Sequence, residues 1–173
     1  MTAAGTHETQ IVADPDVPLV RITREFDASP SKVFRAHTDP QLVVQWLGPR
    51  STTMRVEHYD CRTGGSYRYV HTSDGEDFGF RGCFHEVRPT ELIVQTFTFE
   101  AMPDGVALER LVFEDLGGGR TRLVGTSLVD SFEGRDGFLA SGMETGVREG
   151  YERLDDLLGT DHSTHLKQPA HDH

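Results

Sequence analysis

Cysteine is scarce: the 173 residues contain only Cys61 and Cys83, and the two have neither CxxC spacing nor the company of a disulfide framework. That argues against a stapled extracellular scaffold and suits a reducing compartment, with both thiols expected as small buried or half-buried residues. No apolar run approaches the roughly 20 residues of a membrane span. The N-terminus "MTAAGTHETQIVADPDVP" lacks the basic-then-apolar layout of a secretory signal. No membrane association is expected, and the cytoplasm is the default location. Positive charge is also short, with 17 Lys and Arg against 28 Asp and Glu and a formal charge of −11, so a nucleic-acid partner is disfavoured by repulsion from phosphate. Catalytic and cofactor signatures are missing as well. There is no GxSxG, GxGxxG or P-loop, and "HEVRP" lacks the second histidine of a zinc-protease helix. No motif declares an enzyme, and no cofactor is expected.

What is present fits one domain with a sizeable core. Residues 1 to 17 and 159 to 173 are polar and proline-interrupted and read as flexible tails around a domain at 18 to 158. Four histidines in the second tail, His162, His165, His171 and His173, are too irregularly spaced to define a metal site. The alternation in "LVRITREFDA" predicts a first strand. Two short helices follow, one capped by Ser29 with Pro30 at its first position and one capped by Asp39 with Pro40, the latter stopping at Gly48-Pro49.

Six further strands are predicted from "TTMRVEHYDC", "SYRYVHT", "FGFRGCFHEV", "ELIVQTFTFE", "ALERLVFEDL" and "TRLVGTSLVD". They are separated by turn signals such as Asp74-Gly75 and Gly117-Gly118-Gly119. Connections this short leave no room for crossover helices, so the sheet should be antiparallel. One long helix should close the chain from about Asp136 to Leu158, with Met143, Val147, Leu154 and Leu158 on its apolar arc and Glu144, Arg148, Asp155 and Asp156 in water. Beside the arc runs a stripe of Gly142, Gly146 and Gly150, costly in a helix at about 1 kcal/mol each relative to alanine. The stripe fits either close approach to the sheet or another subunit, or space for a ligand.

The segments "ITREFDASPSKVFRAHTDPQLVVQWLGP", "GGSYRYV", "GCFHEVRPTELIVQTFTFE" and "GYERLDDLL", in that order, resemble the START-like (SRPBCC) superfamily. Within it they look like bacterial relatives of the C-terminal domain of the heat-shock-protein-90 ATPase activator. The resemblance spans about residues 18 to 158. It implies an α+β helix-grip fold, in which a seven-stranded antiparallel curved sheet wraps around a long C-terminal helix and leaves a largely apolar cavity. It also implies that the second strand, which leads into Cys61, and the fourth, which carries Cys83, are separated by the third, so the two cysteines should not pair.

Cys83, His85 and Glu86 look like an assembled nucleophile, base and carboxylate, but alternation puts Cys83 and His85 on one face and Phe84 and Glu86 on the other. The inward face should carry Phe78, Phe80, Gly82 and Phe84. His37, His58, His71 and His85 lie on four separate elements and make no expected metal site. The candidate ligand-binding residues are therefore cavity residues: Tyr67, Tyr69 and His71 on one strand, Phe80 and Phe84 on the next, and Phe97 and Phe99 on a third. Trp46 ends the second short helix, and Met143 and Val147 lie on the long one. Three readings follow. The first is a module that binds a small hydrophobic or aromatic molecule. The second is an enzyme of the polyketide cyclase or aromatase kind using Tyr67, His71 and Glu144. The third is a chaperone partner that activates an ATPase. A homodimer through the sheet face or the glycine stripe is compatible with all three.

Overall fold

The computed structural model describes residues 7–164, with 161–164 as backbone only, so His162, His165, His171 and His173 fall outside the described side chains. Eight strands, β1 (Gln10–Ala13), β2 (Leu19–Phe26), β3 (Thr53–Tyr59), β4 (Ser66–Ser73), β5 (Glu76–Arg88), β6 (Leu92–Phe99), β7 (Ala107–Gly117) and β8 (Arg120–Leu128), form one antiparallel sheet in the order β1-β2-β8-β7-β6-β5-β4-β3. Strands β3 to β8 run as successive hairpins, and β2 docks antiparallel on β8. The α+β class thus holds with eight strands where seven were expected. The extra one, β1, pairs only with β2 at the sheet edge and leaves most of its side chains exposed. Its pairing is made by the backbone, which is why its sequence carries no hydrophobic alternation.

Local chemistry fixes the element boundaries. Helix α1 (Pro30–Thr38) begins where the Ser29 side chain accepts from the Lys32 amide, and α2 (Pro40–Trp46) where Asp39 accepts from that of Gln41. Asp74 and Gly75 both adopt left-handed backbone, φ 51° and 78°, as a two-residue hairpin turn requires.

The C-terminal helix is not continuous. It divides into α3 (Phe132–Ala140) and α4 (Met143–Thr164) at Gly142, whose φ of +85° is the left-handed conformation that ends helices. The glycine stripe therefore has separate roles. Gly142 breaks the helix, while Gly150 brings α4 against the end of α2: a Cβ there would lie 3.3 Å from the Trp46 carbonyl oxygen and the Gly48 nitrogen. The close approach is to the α2–β3 connection rather than to the sheet.

Helix α4 is gripped through Tyr151, Leu154 and Leu158, all buried, with the Tyr151 ring edge-on to Phe26 of β2 at 5.6 Å. A polar latch adds to this. Arg24 of β2 is only 4% exposed, bonds Asp155 of α4 through one guanidinium nitrogen and donates from the other to the Thr9 hydroxyl at 3.0 Å. Asp155, expected in water, is thus part of the junction.

Candidate functional site

On the concave face, alternation along β4, β5 and β6 points every second side chain inward, and antiparallel register then aligns them in rows. Tyr69 faces Phe80, which faces Phe99; His71 faces Phe78. The Phe80 ring lies 5.5 Å from those of Tyr69 and Phe97 and 5.2 Å from that of Phe99. Opposite this aromatic wall stand Met143, Val147 and Tyr151 of α4. Between them is a partly open, mainly apolar hollow of ≈ 1370 Å³. Helix α3, which buries none of its residues, contributes Gly134, Gly137 and Phe138 to one side.

Trp46, Tyr67, Tyr69, His71, Phe80, Phe97, Phe99, Met143 and Val147 all line this hollow. Phe84 does not: it is 2% exposed and packs beneath Tyr59 and Tyr67 at 5.5 and 5.2 Å. A bulge between Phe84 and Glu86 shifts the register just beyond it. Trp46 is buried, its indole N–H donating to the Ala36 carbonyl at 2.8 Å and its ring edge-on to His37 at 4.8 Å. The Tyr67 hydroxyl donates to the Thr96 carbonyl at 2.7 Å, which commits its hydrogen to the sheet.

The reactive-looking side chains do not converge. Cys83 and His85 are exposed, Glu86 lies 3.7 Å from Arg88, and Glu144 is exposed and outside the hollow. Cys61 and Cys83 are both free thiols. Burial and the neighbouring Asp60 push the Cys61 thiol up to about 12, so it stays protonated near neutrality. Among the described residues no three His, Cys, Asp or Glu side chains come together to hold a metal ion. None of the helices there is long and apolar enough to cross a membrane.

Sequence reasoning missed the polar centre of the hollow. Glu109 of β7 sits in register between Gln95 of β6 and Ser127 of β8, and all three line the cavity. Gln95 Nε2 donates to Glu109 Oε1 at 3.1 Å. The Ser127 hydroxyl lies near enough to favour the carboxylate slightly but makes no well-formed hydrogen bond. Burial dominates and raises the Glu109 carboxyl to about 7. His37 of α1 also lines the hollow. Its Nδ1 pairs with the Val33 carbonyl at 2.8 Å and its Nε2 has no partner among the described residues. Burial depresses it to about 4. The signal for Glu109 was available, since Ala107, Leu111 and Phe113 occupy its face of β7.

These two groups make opposite contributions to pH-dependent stability. Glu109 holds its proton in the folded state between 4.5 and about 7, so it makes stability fall as pH rises through that window. The unfolded chain protonates His37 between about 4 and 6.5 while the folded one does not, so His37 makes stability rise with pH there. Over the shared range the slopes offset. From pH 4.5 to 6.5 the urea midpoint of Glu109→Gln should rise relative to wild type, and that of His37→Gln should fall. Parallel midpoints for all three proteins would show that neither group is buried as described.

A family model described as "Activator of Hsp90 ATPase homolog 1-like protein" matches residues 27–159. No curated protein matches the sequence. Among solved structures, a Rhodobacter sphaeroides protein is 28% identical with a TM-score of 0.80, the match covering 88% of this chain and 99% of that one. A protein from Arthrobacter aurescens is 26% identical, TM-score 0.80, covering 87% and 91%. One from Mycobacterium smegmatis shares the fold at 23% identity, TM-score 0.79, covering 95% and 100%. With most of the domain matched by the family model, from just after β2 to near the end of α4, the chain belongs to the Activator of Hsp90 ATPase homolog 1-like family.

Proposed function

We propose that the protein binds a small hydrophobic or aromatic molecule between its sheet and α4. The observation that supports this most is the hollow itself: ≈ 1370 Å³ walled by stacked aromatics, larger than the roughly 300–1,000 Å³ of common small-molecule pockets. The fold alone would not carry the reading, because folds of this kind host many functions. A cytoplasmic location accompanies it.

Trp46 is the only tryptophan and lines the hollow, so its fluorescence reports on occupancy directly. Titration with a panel of fused-ring aromatic compounds should change its emission saturably, with a matching rise in melting temperature. Gly137 faces open space on the cavity side of α3, so Gly137→Phe, which adds no second tryptophan, should block binding while leaving the fold intact. An unresponsive Trp46 and an unchanged melting temperature across the panel would refute the reading.

A chaperone-partner reading is favoured by the family's description alone. It predicts that the bacterial Hsp90 is retained in a pull-down and that its ATPase rate rises on addition of the protein. An unchanged rate would dismiss it.

A further inference from the structure

We propose that the preferred occupant of the hollow is an arylalkylamine, its ammonium seated on Glu109 and its rings against the wall of β4 to β6. This rests on the hollow being a binding site and adds the chemical class of the ligand.

Among the described residues the charged side chains lining the hollow are all acidic: Glu109 at its centre, Asp130 and Glu133 on the α3 side, with no lysine or arginine. Both lining imidazoles present acceptors. His37 Nδ1 faces the Val33 carbonyl, which can only accept, so the hydrogen is on Nδ1 and the unpartnered Nε2 carries a lone pair. The Thr52 hydroxyl has one hydrogen and gives it to the Pro49 carbonyl at 3.0 Å. His71 Nδ1, 3.1 Å from that hydroxyl, must therefore donate to it, leaving its Nε2 to accept. Gln95 fills one oxygen of Glu109 and leaves the other open. Ser127, 3% exposed, and His37, 5% exposed, each retain a buried polar atom without a partner among the described residues, and both line the space.

A site so composed asks for hydrogens and positive charge. A carboxylic acid would meet no cation and would be repelled by Glu109. A plain hydrocarbon would leave the second oxygen of Glu109 and the Ser127 hydroxyl desolvated and unpaired. An ammonium supplies a charge-assisted hydrogen bond to the carboxylate, and the faces of Tyr69, Phe80 and Phe97 favour a cation near them.

The groups facing Glu109 do not compete for that role. Tyr59 of β3, Tyr67 and Tyr69 of β4 and Tyr151 of α4 are phenols that burial, with a smaller push from Glu109 itself, holds above their ordinary range. His37 from α1 is kept neutral by burial. Amine affinity should therefore climb as pH passes through about 7, where Glu109 ionises, and fall once the amine loses its proton.

The test is calorimetry at pH 8 with a matched series: 2-naphthylmethylamine, 2-naphthylmethanol and 2-naphthylacetic acid. In the wild-type protein the amine should bind about tenfold tighter than the alcohol, or about 1.4 kcal/mol, and the acid weakest of the three. Glu109→Gln should abolish the amine's advantage over the alcohol. Equal affinity for all three, or an amine preference that survives Glu109→Gln, overturns the amine assignment and leaves the cavity reading standing. If none of the three binds and Trp46 emission is unmoved, both fall together. The ligand series in the wild-type protein decides the matter even where the variant folds poorly.

Discussion

Gly82→Ala is expected to cost about 4 kcal/mol, combining overpacking with a broken buried hydrogen bond. Gly82 sits opposite Tyr67 in the β4–β5 register, and the Tyr67 ring passes over it to reach the Thr96 carbonyl on β6. A methyl group there would lie 2.0 Å from the Thr96 carbonyl oxygen and 2.6 Å from the Tyr67 hydroxyl oxygen. The first of these is backbone, so relief requires β6 to move and the aromatic wall with it. Urea unfolding provides the measurement, with Tyr67→Phe as the control: that variant removes only the hydrogen bond and should cost about 1 kcal/mol. A Gly82→Ala midpoint equal to that of Tyr67→Phe would mean that the ring does not cross the glycine.

The second large effect is at the latch between sheet and helix. Asp155→Ala should destabilise by about 3 kcal/mol, because it leaves the guanidinium of Arg24 buried without its carboxylate. His7 loses a partner at the same time, its Nδ1 lying 3.1 Å from Asp155. The remaining neighbours of Arg24, the Thr9 hydroxyl and the face of Phe26 at 5.5 Å, do not neutralise a charge. Replacing both partners, Arg24→Leu with Asp155→Leu, should recover most of the loss, since apolar packing can substitute for a buried pair. Additive costs in the double-mutant cycle would show that the two side chains act independently.

Much of this architecture was written locally in the chain. Ser29-Pro30 and Asp39-Pro40 start the two short helices because a cap oxygen and a pre-set φ act within three residues. Asp74-Gly75 makes its hairpin for the same kind of reason. Features that depended on distant partners were less legible. β1 is held by backbone pairing to β2, and nothing in its own side chains announces that. Asp155 reads as a solvated residue on a helix wheel until Arg24, 131 positions earlier, is brought beside it.

The site divides along the same line. Apolar wall residues such as Tyr69, Phe80 and Phe97 follow from strand alternation, as does the neglected Glu109, a carboxylate flanked on its own face by Ala107 and Leu111. Gln95 and Ser127 had no such signal. A polar residue in a strand is unremarkable until register places it beside a buried acid.

Entry of a small aromatic molecule into the space between sheet and α4 is measured most directly by a map of NMR chemical-shift changes on saturation with 2-naphthylmethanol. The changes should cluster on Phe80, Phe97, Val147 and Tyr151 inside the hollow. Changes confined to exposed apolar residues such as Val12 and Leu108, or no changes at saturating concentration, would contradict the account.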